Sequence, residues 1–330
     1  MLHSVTTVTP LRISLAGGGS DIPSFYRAGY GSVVSMAIRS YVYVTAKRHS
    51  PLFGEKYRVS YSTTETADDV EAIDNDIVRT CIQFLGIDEP LHIITSSDLP
   101  AQSGLGSSSS FCVGLLKALH EIRGDSISPG QLAEEACHIE MELLGMPIGK
   151  QDQYAASFGG LNYIKFDADE SVSLESLPLH PHTLAFIDEL FLVWTGVARS
   201  AATVLADQER NAERNGAAIA ELVQSAELMR NRIRAGTETA SSLGLMLSSN
   251  WEVKKNLGAL IETPQVIELI SKLHSLGSRG HKIAGAGGGG FVLGVASDEA
   301  VKRIRKTLGI ERLVRPKYCP WGSWTLGLVE

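Results

Sequence analysis

The sequence contains few cysteines, the residues that form the disulfides of secreted proteins and many structural metal sites. It has 4 cysteines in 330 residues, and none of them is in a CxxC spacing. Cysteines scattered in this way form neither a disulfide framework nor a zinc site, so we expect reduced thiols. The 9 histidines show no ligand spacing, and HExxH and GxSxG sequences are absent. These absences exclude the common zinc and serine hydrolases.

Positive charge and long apolar runs are also scarce. The chain has 30 basic and 37 acidic residues, a net charge of −7. No general attraction to nucleic acid or an anionic membrane is encoded, so any phosphate must be held locally. The longest uncharged stretch, residues 99–116, is rich in serine and glycine and cannot span a bilayer. The N-terminal residues lack the features of a secretory signal, so a cytoplasmic protein is expected.

The hydrophobic pattern predicts an α/β (α+β) chain of two lobes. A strand-rich start is followed by helices over residues 107–123 and 130–144. A polar stretch near residues 167–182 contains two prolines, which marks a boundary between lobes. We therefore place the N-terminal lobe at 1–178 and the C-terminal lobe at 179–330.

The second lobe has its own sequence of elements. Residues 184–194 predict a strand and residues 199–234 a long charged helix. Thr263 and Pro264 mark the start of a helix that stops at Gly277. Residues 282–295 match GxGxxG, but a strand pattern follows where a dinucleotide site needs a helix. The segment is therefore predicted as a strand, a glycine loop and a strand.

The first glycine-rich segment, TPLRISLAGGGSD, covers residues 9–21. A strand running into consecutive glycines lets the backbone turn sharply and approach a ligand. Arg12 and Asp21 flank this turn with opposite charges. Two interpretations stay open, a sugar or phosphate site and a tight turn with a surface salt bridge.

The second segment, LPAQSGLGSSSSF, covers residues 99–111. Gly104 and Gly106 precede a predicted helix whose first turn carries serines. Free backbone N–H groups and the positive end of the helix dipole would favour a polyphosphate there. Simple N-capping by a serine is the alternative, and no GK[ST] follows, so the loop is not a Walker A loop.

Two acidic residues complete the candidate chemistry. Glu140 lies among apolar residues of a predicted helix, where it is either paired structurally or a Mg²⁺ ligand. Asp152 follows a loop broken by glycine and proline, where it is either an N-cap or a general base. Phosphoryl transfer needs a phosphate cradle, a metal ligand, a base and a cation, and the sequence offers a candidate for each.

The three glycine-rich segments, in this order and spacing, resemble the motifs of the GHMP kinase family of small-molecule kinases. The resemblance implies a ribosomal-protein-S5-like N-terminal lobe, a ferredoxin-like C-terminal lobe and ATP with Mg²⁺ bound between them. It implies Asp152 as the base and Arg12 as the cation beside the attacking hydroxyl. It places Mg²⁺ on Ser108 and Glu140. The residues implied for ATP are Ser103, Gly104, Leu105, Gly106, Ser107, Ser108, Ser109, Gly285, Gly287 and Gly288.

The resemblance also implies a sugar acceptor. Asp21 matches an acid that binds sugar hydroxyls, and Gly18 and Gly19 adjoin it where galactokinases carry Glu-His. The residues within these motifs are most similar to those of family members that phosphorylate the anomeric hydroxyl of D-glycero-D-manno-heptose 7-phosphate, on the way to GDP-heptose. A fucose-type or other sugar C1 kinase, and a non-catalytic ligand sensor on the same fold, are the alternatives.

A sugar phosphate requires a second basic pocket, separate from the ATP site. Lys150 and Arg199 are the candidates, because they lie in the acidic loop and at the end of a predicted strand. Either is equally a solvated surface charge. The expected partner is a small-molecule sugar phosphate, with no nucleic acid and no membrane, and a homodimer is considered for the assembly.

Overall fold

The computed structural model describes residues 2–198 and 201–329, which form two antiparallel-rich sheets covered by helices. The strands are β1 Ser4–Ala16, β2 Tyr30–Arg48, β3 Tyr57–Ser60, β4 Thr64–Ala67, β5 Leu91–Ser97, β6 Leu161–Asp167, β7 Val172–Ser176, β8 Leu190–Trp194, β9 Gly280–Ile283, β10 Phe291–Val295, β11 Leu313–Val314 and β12 Trp324–Val329. The helices are α1 Pro23–Tyr26, α2 Asp76–Leu85, α3 Ser107–Arg123, α4 Pro129–Cys137, α5 Gln151–Phe158, α6 Pro181–Asp188, α7 Ala201–Glu209, α8 Ala212–Arg234, α9 Ala240–Lys254, α10 Pro264–Ser275 and α11 Asp298–Leu308.

The long strands β1 and β2 form the centre of the first sheet. They pair antiparallel along their length, with a register shift at Pro10, which has no N–H to donate to the ladder. One half of β2 then pairs with β6 and the other half with β5. The last strand, β12, returns to pair with β1 at the edge of this sheet. The chain therefore begins and ends in the same sheet.

Helix α3 packs across the first sheet and carries the second glycine-rich segment at its N-terminus. Its bounds agree with the predicted helix, and Leu115, Leu119 and Ile122 are buried as the periodicity requires. Gly114 lets the helix lie close to β1, because a Cβ there would lie 2.6 Å from Thr9 Oγ1. Close packing of this kind fixes the helix N-terminus relative to the strand.

The second sheet has the strand order β11-β8-β10-β9, with every pair antiparallel. In chain order this is a fourth-first-third-second arrangement of a split βαββαβ unit, which is the ferredoxin-like topology. Helix α10 starts at Pro264, with Thr263 capping Val266 N, as predicted. β9 and β10 enclose the third glycine-rich loop, so the predicted strand, loop and strand are confirmed.

Three predicted elements differ in the structure. The predicted strand at 184–194 is wrong in its first half, because Pro181 starts helix α6 and β8 begins only at Leu190. The predicted helix at 199–234 is divided into α7 and α8 within its described part. The predicted helix at 130–144 is α-helical only to Cys137 and continues as the π-helical turn His138–Leu143.

In the described parts of the chain, we find no helix whose length and hydropathy suit a bilayer crossing. The polar stretch at 167–182 leads out of β6 through β7 to α6. A lobe boundary at residue 178 stays a prediction, and the return of β12 means that the final residues pack with the first sheet.

The burial of α6 generates a stability prediction. Phe186 is fully buried on this helix, whereas Leu184 is 46% exposed. Phe186→Ala should lower the free energy of unfolding by about 3–5 kcal/mol through lost packing. Leu184→Ala, the matched control, should change it by about 0.5 kcal/mol or less. Urea denaturation measures both, and equal losses would contradict the helical assignment.

Candidate active site

The N-terminus of α3 has no side-chain cap. Gly106 occupies the N-cap position with φ +78°, and it has no side chain that could accept from the backbone N–H groups of the first turn. The alternative of N-capping by the serines is therefore wrong. The first intrahelical bond runs from Ser110 N to Gly106 O, 2.9 Å. The preceding N–H groups have no intrahelical partner and, with the helix dipole, suit an anion.

The second and third glycine-rich loops meet backbone to backbone. A Cβ on Gly104 would lie 2.5 Å from Ala284 O, and a Cβ on Gly285 would lie 2.6 Å from Gly104 Cα. Phe291 N donates to Ser103 O at 3.1 Å. Only glycine permits this approach, so the second sheet supplies one wall of the cavity at the α3 N-terminus.

Not all residues predicted for ATP face the cavity. The side chains of Ser103 and Leu105 are fully buried, and Leu105 O accepts from Arg12 N at 3.0 Å. A Cβ on Gly287 would lie 2.8 Å from Ile261, and Gly288 N donates to Ile261 O at 2.8 Å. These two glycines anchor the third loop, and their contact with a nucleotide stays a prediction.

Arg12 and Asp152 form a bidentate ion pair. Arg12 Nε and Nη2 donate to the two carboxylate oxygens, each at 2.6 Å, and Nη1 donates to Gly104 O at 2.7 Å. The Arg12 side chain is 5% exposed and that of Asp152 is 22% exposed. Asp152 lies in the first turn of α5 and Lys150 occupies the N-cap position, so an N-cap role for Asp152 is wrong.

Asp21 is buried in the lining of the same cavity. Its carboxylate accepts from Gly19 N at 3.0 Å and from Gln151 Nε2 at 3.1 Å. Burial, and then the charge of Asp152, raise the pKa of Asp21 above its ordinary value. The alternative of a surface salt bridge is wrong, because Arg12 and Asp21 are both buried and Arg12 pairs with Asp152.

Glu140 is a fully buried carboxylate in the π-helical turn His138–Leu143. Ser108 Oγ donates to it at 3.1 Å and Gln153 Nε2 at 2.7 Å. Burial raises its pKa to about 7. Over residues 2–198 and 201–329, no group of three or more His, Cys, Asp and Glu could hold a metal. One carboxylate beside a hydroxyl does fit a Mg²⁺ that is held mainly by phosphate oxygens.

Sequence reasoning missed three polar residues of the site. Gln151 and Gln153 flank Asp152, and on one helical turn they reach Asp21 and Glu140 respectively. The alternation QDQ after a broken loop was the only signal for them. Lys254, at the end of α9, is 7% exposed and donates to Gly285 O, and burial lowers its pKa to about 8. Its helix gave no signal, because lysine on a helix is usually a surface residue.

Lys150, one of the two residues predicted to bind a distal phosphate, does not line this cavity. Lys150 Nζ donates to Glu170 Oε2 at 2.5 Å and to Glu170 O at 3.2 Å, and it lies 5.0 Å from the ring centre of Tyr26. Lys150 lines a neighbouring cavity, so a direct role on the sugar stays a prediction. Arg199 lies outside the described residues.

One cavity of about 300 Å³ brings the functional groups together at the N-terminus of α3. Acids, cations and the glycine loops face the same space, which suits an anionic ligand beside a polar one. Its lining includes Arg12, Gly19, Asp21, Gly104, Gly106, Ser107, Ser108, Ser109, Glu140, Asp152, Lys254 and Gly285.

Comparison with known proteins agrees with this geometry. The profile "GHMP kinases N terminal domain" matches residues 75–160, and "GHMP kinases C terminal" matches residues 225–312. A D-glycero-alpha-D-manno-heptose 7-phosphate kinase of Campylobacter jejuni is 28% identical over 328 residues, covering 93% of this chain and 95% of the relative. A galactokinase of Pyrococcus furiosus is 25% identical, with 95% of each chain covered.

Solved structures show the same fold. The D-glycero-D-manno-heptose 1-phosphate kinase from Bacteroides thetaiotaomicron has a TM-score of 0.78 at 23% identity, covering 99% of this chain and 100% of that chain. The two matched profiles, the motifs and the two-lobed architecture define a small-molecule kinase. The chain belongs to the GHMP kinase family, and the fold expected from the sequence is confirmed.

The contact between the loops generates a second prediction. Gly104→Ala should weaken ATP binding by about tenfold or more and lower the melting temperature, because a Cβ would collide with Ala284 O. Gly124→Ala is the matched control, since Gly124 also has a positive φ but nothing within 4 Å of its Cβ position. Calorimetric titration with ATP measures both variants, and equal ATP affinity would contradict a cradle built on this contact.

Proposed function

We propose that this kinase is an ATP-dependent sugar kinase that phosphorylates the anomeric hydroxyl of D-glycero-D-manno-heptose 7-phosphate. The product is the 1,7-bisphosphate, an intermediate toward GDP-heptose. The observation that carries this proposal is the bidentate Arg12–Asp152 pair beside the uncapped N-terminus of α3. The Campylobacter jejuni relative, which covers nearly the whole chain, supports the choice of sugar.

The N-terminal turn of α3 binds the phosphates of ATP. Ser107, Ser108 and Ser109 of this turn line the cavity, and the uncapped backbone N–H groups of a helix N-terminus favour phosphate. Ser108 and Glu140 would hold Mg²⁺, and Gln153 keeps the Glu140 carboxylate in place. A bound Mg²⁺ neutralises charge on the phosphate oxygens during transfer. Glu140 is buried and has no cationic partner in the described structure, which supports this role.

Asp152 accepts the proton of the attacking sugar hydroxyl. Its carboxylate lines the cavity close to Gly106, whose Cβ would lie 3.1 Å from Asp152 Oδ2. Arg12 holds both carboxylate oxygens and also bonds to Gly104 O, so one side chain fixes the base relative to the cradle. Positioning of this kind, with a cation beside the developing charge, lowers the barrier to in-line transfer.

Asp21 binds sugar hydroxyls. Its oxygens accept from Gly19 N and Gln151, a carboxylate can accept further hydrogen bonds, and Asp21 lines the cavity. Gly149 must be glycine for this acid to fit, because a Cβ there would lie 2.0 Å from Asp21 Oδ2. The backbone at Gly149 therefore packs closely against this carboxylate and holds it in the cavity lining.

Replacing Asp152 tests the base and the reaction together. Asp152→Asn should lower kcat by about 10²–10⁴-fold, the usual contribution of a general base, while ATP affinity stays within about twofold. ADP release is measured with heptose 7-phosphate, mannose, fucose and galactose. Asp88→Asn, an exposed aspartate, is the control and should leave the rate unchanged.

The outcomes separate the candidate functions. A strong preference for heptose 7-phosphate that is lost in Asp152→Asn supports the proposal. Turnover of a free hexose instead would move the substrate to another sugar C1 kinase. ATP binding without turnover of any sugar would favour a ligand sensor, and a fully active Asp152→Asn would remove Asp152 as the base.

The role of Glu140 gives a separate prediction. Glu140→Gln should raise the Mg²⁺ concentration needed for half-maximal rate by about tenfold or more, the effect of losing about 1.4 kcal/mol of charge attraction. Glu142→Gln is the matched control, because Glu142 is an exposed acid on the same turn. Initial rates across a Mg²⁺ titration at saturating ATP measure both. Identical Mg²⁺ dependence in the two variants would contradict a metal role.

A further inference from the structure

Two lysines are buried near the cavity, which Lys254 lines, and the reaction described above uses neither. Lys254 of α9 donates to Gly285 O, and Lys282 of β9 donates to Leu15 O at 3.3 Å. They are 7% and 5% exposed. Among the described residues, neither amine has a carboxylate within 4.0 Å. Each amine therefore donates to a main-chain carbonyl and has no carboxylate at ion-pair distance among the described residues.

Burial disfavours the charged form of both amines. It lowers the pKa of Lys254 to about 8, with the negative charge of Asp21 acting in the opposite direction. Burial and then the positive charge of Lys254 lower the pKa of Lys282 well below its ordinary value. Buried cations are normally paired with an acid or a ligand. An anionic group bound beside Lys254 would favour the charged form of both amines.

Three polar side chains surround the Cβ position of Gly18. A Cβ on Gly18 would lie 3.1 Å from Ser14 Oγ, 3.8 Å from Gln151 Nε2 and 4.0 Å from Lys254 Nζ. Ser14 Oγ is buried and has no hydrogen-bond partner in the described structure. The φ of Gly18 is not in the left-handed region, so the backbone does not require glycine there. The missing side chain instead leaves a hydroxyl, an amide and an amine around one point.

We propose that Lys254, assisted by Ser14, binds the phosphate that the sugar substrate already carries. This inference rests on the proposed function, since it concerns the acceptor of the same reaction. Lys254 Nζ lies 4.0 Å from the Cβ position of Gly18, in the segment that also carries Asp21, and both Lys254 and Asp21 line the cavity. Lys150 is a weaker candidate, because Glu170 already neutralises it.

The terminal phosphate of ATP is the competing source of the same chemistry. Lys254 also contacts the third glycine loop through Gly285 O, which forms part of the cradle wall. The experiment must therefore separate an effect on the sugar phosphate from an effect on the nucleotide.

Lys254→Met removes the charge and keeps most of the side-chain volume. We expect the KM for heptose 7-phosphate to rise about tenfold or more, the KM for ATP to stay within about twofold, and the melting temperature to stay unchanged or rise. Lys255→Met, next along the helix and 27% exposed, is the matched control. Gly18→Asp should reproduce the defect, because its carboxylate would pair with Lys254.

A second arm measures binding without turnover. Heptose 7-phosphate alone should raise the melting temperature of the wild type but not of Lys254→Met, while ATP should stabilise both. The dephosphorylated heptose should bind wild type and variant equally.

The two arms distinguish failure of this inference from failure of the proposed function. Normal turnover of heptose 7-phosphate with an unchanged KM in Lys254→Met would overturn the anion site and leave the kinase intact. A rise confined to the KM for ATP would assign Lys254 to the nucleotide and also overturn it. Binding of heptose 7-phosphate that depends on Lys254, without any turnover, would keep the anion site and reject the proposed reaction.

Discussion

The contact of Arg12 with Asp152 and Gly104 connects the parts of the site. The guanidinium lies on the central strand β1, and its donors reach an acid on α5 and a carbonyl of the glycine loop before α3. Because the bidentate pair fixes the first turn of α5, the residues on either side of Asp152 contact Asp21 and Glu140. A single buried cation thus sets the relative positions of the proposed base, the acid proposed for the sugar and the carboxylate proposed for Mg²⁺.

The proposed phosphate cradle depends in the same way on two sheets that are far apart in sequence. Gly104 precedes a helix of the first sheet, and Gly285 lies in a hairpin of the second. Their backbones touch, and any side chain at either position would separate the sheets at this point. The glycine content of the sequence therefore reflects a contact between lobes as much as space for a ligand. A displacement of one sheet would open the cavity and disturb the cradle together.

The sequence predicted helices correctly where both the hydrophobic periodicity and the residues that mark the helix ends were present. The helix α3 and the capped helix α10 appear where periodicity and caps placed them. The strand prediction at 184–194 was wrong in its first half, because a short apolar run does not distinguish a buried helix from a strand. Pro181 at the first helical position begins helix α6 there.

The site was predictable to the extent that its chemistry is carried by motifs. Glycine and serine runs, and acids in unusual surroundings, indicated Arg12, Glu140 and Asp152. Lys254 was not predictable, because its burial results from packing of α9 against the second sheet, which no local pattern shows. From the sequence, Lys150 was a candidate for a distal phosphate and equally for a surface charge, whereas only the three-dimensional structure shows its pairing with Glu170.

Phosphorus NMR of the reaction with D-glycero-D-manno-heptose 7-phosphate, ATP and Mg²⁺ shows directly which hydroxyl of the sugar is phosphorylated. If the anomeric hydroxyl is the acceptor, we expect one new phosphate resonance coupled to the anomeric proton, together with one ADP per product and an unchanged 7-phosphate signal. A new resonance at another sugar position would contradict the assignment of the anomeric hydroxyl. ADP formed without any new sugar phosphate would contradict the assigned acceptor.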